Sequence, residues 1–171
     1  DGTIGGGGHA EEILKHIRPK GKLLGFDWDN EAIKRTEHRL AEYKKNVILV
    51  NQSYTKIKEV IYDKKFLPVN AILLDLGLSS DQLQNSGRGF SFQTNEPLDM
   101  RFSPDENELT AAIILNEWTK EKLVNIFFEY GEEKMANRIA DAIIEKRQQD
   151  PIRTTLQLVS LIINTVPRRK T

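Results

Sequence analysis

The chain of 171 residues contains no cysteine. That excludes a disulfide framework, a thiolate zinc site and a thiol nucleophile together, and it is compatible with a reducing compartment. Net charge is absent too. Twenty-five Lys and Arg balance 25 Asp and Glu, so no overall positive field gathers a polyanion and any nucleic-acid site has to be a local patch. No apolar run approaches the roughly eighteen residues of a membrane span, and no charged-then-apolar leader pattern occupies the opening residues. The expectation is a soluble, cytoplasmic chain with no membrane partner. His16 and His38 have no companions at metal-ligand spacing, so both read as surface residues and no metal is expected.

What is present suits a packed core: 39% apolar residues with 11 glycines, and 29% charged residues. The chain reads as bipartite. Lys22 to Asp27, Val47 to Val50 and Ala71 to Leu76 are short apolar runs of the kind found in strands buried on both faces. Ahead of the first run, Ala10, Ile13, Leu14 and Ile17, and between the first two runs, Ile33, Thr36, Leu40 and Tyr43, recur at helical spacing, the second set following Asp29 and Asn30 as candidate N-caps. Strands alternating with helices predict βαβ units and a parallel sheet. From Ser79 to about Asp105 the periodicity lapses. Four helical patterns follow, led by Leu109, Leu123, Met135 and Thr155; the Thr155 hydroxyl is a candidate cap, and Pro151 separates the last two. A glycine turn with no strand ahead of it, and three strands where about five or six are usual, read as a core with parts missing at both ends.

Gly5-Gly6-Gly7-Gly8-His9-Ala10 satisfies the degenerate G-x-G-x-x-[GA] pattern at the start of a helix, where bare backbone N–H groups favour an anionic group; a flexible tight turn is the plain alternative. Asp27 ends the next strand, placed to take both hydroxyls of a ribose or, alternatively, to cap the following helix, a task for which Asp29 is better sited. Tyr54 either lays its ring on a purine or packs under a loop. Asp75, delivered to the carboxyl edge of the third run, reads as a site residue. Together these point to a nucleotide-type ligand without choosing between NAD and S-adenosylmethionine. In the loop Gly87 to Phe92, Arg88 beside Phe90 and Phe92 suits stacking on an unstacked base with phosphate contact, or else the two rings pin the loop to the core. Arg101 follows, where it can brace the loop by pairing with Asp99. Lys134, Arg138, Lys146 and Arg147 read as a solvated face, and Arg168-Arg169-Lys170 as a frayed end.

Five blocks in order, Asp1 to His9, Asp75 to Leu83, Arg88 to Phe92, Pro97 to Arg101 and Tyr130 to Glu133, resemble the RsmH (MraW) family. Its members are S-adenosylmethionine-dependent methyltransferases of the N4 amine of a cytidine in the decoding region of small-subunit (16S) ribosomal RNA. The resemblance implies an α/β, Rossmann-like methyltransferase parallel sheet, incomplete in this chain, with an inserted all-helical domain. Residues 1–102 would be the partial cofactor-binding core with its active-site loop, and 103–171 a helical insertion that recognises RNA. It implies that Gly7, Gly8 and His9 hold the methionine end of the cofactor, Asp27 the ribose and Tyr54 the adenine, with Asp75 and Gln82 completing the pocket. For the substrate, Asp75 would accept from N4 with Ser79 or Ser80 helping, while Arg88, Phe90, Phe92 and Arg101 contact the RNA or the assembling small subunit. Departures are Gly6, where many members carry Arg or Lys, and Asp81, where Pro is common. A nicotinamide-dependent oxidoreductase would share the glycines and Asp27 but needs a hydride-transfer constellation not found here. A non-catalytic RNA-binding module would leave the glycine turn unused.

Overall fold

A computed structural model describes residues 1–166, so the basic run Arg168-Arg169-Lys170 lies outside the described residues. The chain divides into two compact units, Asp1–Ser79 and the residues from Ser80 onward. In the first, α1 (Gly8–Ile17), β1 (Leu23–Asp27), α2 (Asn30–Arg39), β2 (Val47–Asn51) and α3 (Ile57–Asp63) alternate, and β1 and β2 pair in parallel from Leu23↔Val47 to Asp27↔Asn51. Side chains alternate across a strand, and the core follows. Leu23 packs with Ala10 and Leu14 of α1, Ile33 of α2 and Leu40 just after it, whereas Leu24 and Phe26 pack with Val60 and its neighbours on α3. Helices therefore cover both faces, as the βαβ reading requires.

The opening residues extend this sheet. The Asp1 nitrogen donates to Leu24 O (2.9 Å), Phe26 N–H to Asp1 O (2.8 Å) and Ile4 N–H to Phe26 O (2.8 Å), so residues 1–4 run beside β1. The third expected strand does not form. Ala71 to Leu76 touches this edge through Gly2 N–H to Leu73 O (2.9 Å), but the Asp75 N–H goes to the Thr3 hydroxyl (2.7 Å) instead of a main-chain carbonyl, which interrupts the ladder. Ile72, Leu74 and Leu76 are exposed, contrary to burial on both faces.

The second unit is helical: α4 (Ser80–Asn85), α5 (Ala111–Glu117), α6 (Lys120–Glu129), α7 (Ala136–Gln149) and α8 (Thr155–Thr165). Its core joins Leu98, Leu115, Leu123, Ile139, Ala140, Ile143 and Ile152. Because Leu98 belongs to it, the loop that the sequence reading grouped with residues 1–102 packs here, and the division falls after Ser79. Two other expectations are corrected. Thr154, not Thr155, caps α8, in a capping box with Gln157; the Thr155 hydroxyl accepts from Glu96 N–H (3.0 Å) and donates to Thr94 O, stapling the loop to the helix. Arg147 is no solvated cation, since its guanidinium donates to Leu115 O (2.9 Å) and Trp118 O (2.7 Å), orphan carbonyls at the end of α5.

Asn116 donates to Ile152 O (2.7 Å) and accepts from Ile152 N–H (2.9 Å), pairing a buried main chain as a strand would. Asn116→Ala leaves both groups unmet and is expected to cost about 1–3 kcal/mol of stability, read as a lower urea midpoint; an unchanged midpoint contradicts this.

Candidate functional site

The first unit gathers its polar groups where residues 1–4 and β1 end. Gly7 N–H bonds Ile4 O (2.8 Å), closing a turn in which Gly5 and Gly7 have φ of 50° and 78°, values that favour glycine, and α1 starts at Gly8. The carbonyls of this turn are engaged. Thr36 donates to Gly5 O (2.7 Å), Arg39 to Gly6 O (3.2 Å) and Glu11 N–H to Gly7 O (2.9 Å). The N–H groups of Gly6, Gly8 and His9 make no hydrogen bond among the described residues. Positive helix-end potential and unspent donors thus face the same way.

Asp27 closes the arrangement. Its Oδ2 accepts from Gly5 N–H (2.8 Å) and its Oδ1 from Asp29 N–H (2.9 Å). Burial pushes this carboxyl above the usual aspartate range, the chief effect, while the N–H donors pull the other way. Capping of α2 falls to Asp29, whose Oδ1 accepts from Glu31 N–H (3.1 Å), which leaves Asp27 without that task. His9 Nδ1 lies 3.8 Å from Asp75 Oδ2, both side chains exposed. Tyr54 is 40% exposed and passes close to Gly2, where an added Cβ would sit 3.1 Å from the tyrosine Cβ. The structure therefore groups Gly7, Gly8, His9, Asp27 and Asp75 about one turn, with Tyr54 against the adjoining backbone; Ser79 ends this unit. A groove of about 680 Å³ in the same unit is a different feature, lined by Leu24, Phe26, Ile48, Ile57 and Ile61 and touching neither the turn nor Asp27.

The other expected residues lie in the second unit. Ser80 opens α4 and is exposed, whereas Gln82 is buried. Arg88 donates to Arg101 O and Phe102 O (both 2.9 Å) and stands 5.4 Å over the Phe90 ring. Arg101 forks onto Asp99 through Nε (2.8 Å) and Nη2 (2.6 Å) and reaches Asn107 O (2.7 Å). Arg101 holds the Asp99 carboxyl below its usual range. Both arginines thus brace the loop, the alternative foreseen for Arg101. Phe90 is buried and meets Phe102 at 5.4 Å, pinning the loop, while Phe92 is 73% exposed. Sequence reasoning missed Thr36, Arg39 and Glu96, which accepts from Gly89 N–H (2.8 Å). The one available signal was a threonine on the apolar side of α2.

The profile of the MraW methylase family matches residues 1–171. The chain belongs to that family. It is 44% identical over 169 residues to the ribosomal RNA small subunit methyltransferase H of Clostridium botulinum (strain Loch Maree / Type A3), covering 99% of this chain and 54% of the relative. Proteins of the same name from Halothermothrix orenii and Dehalococcoides mccartyi are 45% and 47% identical, again over 99% of this chain and over 55% and 47% of their own lengths. The chain spans about half the length of these relatives. For this MraW-family chain the parallel pair with its flanking helices is part of a Rossmann-like methyltransferase fold, and membership implies a methyl donor.

Asp99 yields a pH test. Its folded-state pKa is lowered, so its contribution is present above the unfolded value of 3.8 and is lost as pH falls through the lower folded value. Asp99→Asn is expected to cost about 1.5–3 kcal/mol at pH 7, with the gap to wild type closing in acid. A gap independent of pH in denaturation curves contradicts this.

Proposed function

We propose that this chain holds S-adenosylmethionine at its glycine turn. The whole protein then transfers the methyl group to the N4 amine of a cytidine in the decoding region of small-subunit (16S) ribosomal RNA, acting in the cytoplasm on that RNA or on the assembling subunit. The observation that carries the reading is the set of unspent N–H groups of Gly6, Gly8 and His9 beside the Asp27 carboxylate, which backbone N–H donors hold in place. These groups fit the cofactor: the N–H donors suit the methionine carboxylate, and the Asp27 carboxylate at the strand end is the acceptor for the ribose. Tyr54 offers a partly exposed ring for the adenine. The relatives' names, each a small-subunit ribosomal RNA methyltransferase, support the substrate class.

S-Adenosylmethionine, when bound, supplies an already activated sulfonium methyl. The protein's task is to hold a weakly nucleophilic amine in line and to accept its proton, so positioning matters more than a strong base. Asp75 is the acceptor in this reading: its carboxylate reaches within 3.8 Å of His9, in the first turn of α1 next to the glycines. Ser79 assists it. For the second unit we assign RNA recognition, with Phe92 the exposed ring for an unstacked base. Arg88, Arg101 and Phe90 shape that loop from within. Ser80 is the alternative helper to Ser79, and Gln82 is assigned to the cofactor pocket on family resemblance alone.

Two measurements test the assignment. S-Adenosylhomocysteine is expected to raise the melting point of the wild-type protein and to leave Asp27→Ala unmoved; at a hundredfold excess over Kd the stabilisation is about 2.7 kcal/mol. Stabilisation by NAD alone contradicts the reading. In the whole protein, Asp75→Ala is expected to lower methyl transfer about 10²- to 10⁴-fold, and near-normal turnover removes Asp75 from the role.

A further inference from the structure

We propose that α2 aims the ligand-binding turn, with Thr36 and Arg39 as positioning residues that act through the backbone of Gly5 and Gly6; the ligand side of this proposal rests on the cofactor reading above. Four consecutive glycines carry more backbone freedom than any other stretch of four, so an ordered turn here needs external restraint. Asp27 supplies one restraint, on the Gly5 N–H. α2 supplies the others, on the two peptides that follow, Gly5–Gly6 and Gly6–Gly7. Thr36 is fully buried, its hydroxyl on Gly5 O (2.7 Å) and its methyl so close to Gly7 that a Cβ added there would meet it at 2.9 Å.

Arg39 works one turn further along α2. Its Nη1 donates to Gly6 O (3.2 Å), and its Nε donates to Glu11 Oε2 (2.7 Å), in the first turn of α1. The guanidinium thereby ties the glycine turn, α1 and α2 together. The consequence is directional. A carbonyl oxygen facing an anionic ligand repels it, and here the Gly5 and Gly6 carbonyls are turned to donors on α2. In a trans peptide the N–H points opposite to the C=O, so the bond to Gly5 O turns the Gly6 N–H away from α2, and the bond to Gly6 O sets the peptide that leads into the unspent Gly8 and His9 N–H groups at the start of α1. Neither residue needs to touch that ligand to set its affinity.

The test separates aim from overall stability. Thr36→Val keeps the buried shape and removes the donor, Thr36→Ser keeps the donor, and Arg39→Gln is a surface change that leaves the core intact. Amide exchange by NMR on the ligand-free chain is expected to speed up about tenfold at Gly5 and Gly7 in Thr36→Val and Arg39→Gln, with β1 amides unchanged and Thr36→Ser near wild type. In the whole protein, the Kd for S-adenosylhomocysteine is expected to weaken about tenfold in the same two variants, raising the cofactor KM without lowering kcat at saturation. Unchanged exchange at Gly5 and Gly7 in both variants overturns the proposal, as does a rise in exchange equal across turn and β1. A wild-type protein that ignores S-adenosylhomocysteine while the exchange pattern responds as expected refutes the cofactor reading and leaves the positioning role standing.

Discussion

Asp27 ties the glycine turn, the entry to α2 and the end of β2 to one residue. It accepts the Gly5 N–H of the glycine turn and the Asp29 N–H at the entry to α2, while the Asp27 carbonyl accepts from Asn51 at the end of β2. Parallel pairing brings Asp27 and Asn51 to the same register, so the anchor stands at the carboxyl edge of the sheet. Burial raises its pKa, which is the electrostatic cost of holding a charge there, and the N–H donors offset part of that cost. Without this bridge the Gly5 N–H loses its tie to the end of β1, and the turn is placed only by the Ile4 main-chain bonds and the donors of α2.

The second unit solves a related problem with other groups. A long segment without periodicity is held by side chains that satisfy its backbone. Arg88 and Arg101 consume main-chain carbonyls, Glu96 takes the Gly89 N–H, and the Thr155 hydroxyl takes the Glu96 N–H. Such guanidinium-to-carbonyl bonds allow an irregular loop to be buried in part, because each otherwise orphaned oxygen receives a donor. The same bonds withdraw both arginines from the role of exposed cations, and leave Phe92 as the ring that faces outward.

Much of the first unit was legible because its signals are periodic or positional. Apolar runs marked β1 and β2, three- and four-residue steps marked α1 and α2, and Asp29 was recognisable as a cap from its place before an amphipathic stretch. Ala71 to Leu76 misled, since an apolar run reports preference for burial and says nothing of which partner is present to pair with it. α3 carries only a short pattern, Ile57, Val60 and Ile61, over seven residues, too brief to stand out by periodicity. The restraints from Thr36 and Arg39 and the weld around Arg88 depend on contacts between distant residues, which no local pattern encodes. Asp27 and the glycines were legible as a pair because their chemistry is stereotyped; the hydrogen bond between them was not.

The most direct test follows backbone amide shifts of the chain by NMR during titration with S-adenosylmethionine. The account predicts that the largest changes fall at Gly6, Gly8 and His9, with smaller ones at Asp27 and Tyr54. Shifts confined to residues remote from the glycine turn, or produced by NAD and not by S-adenosylmethionine, would contradict it.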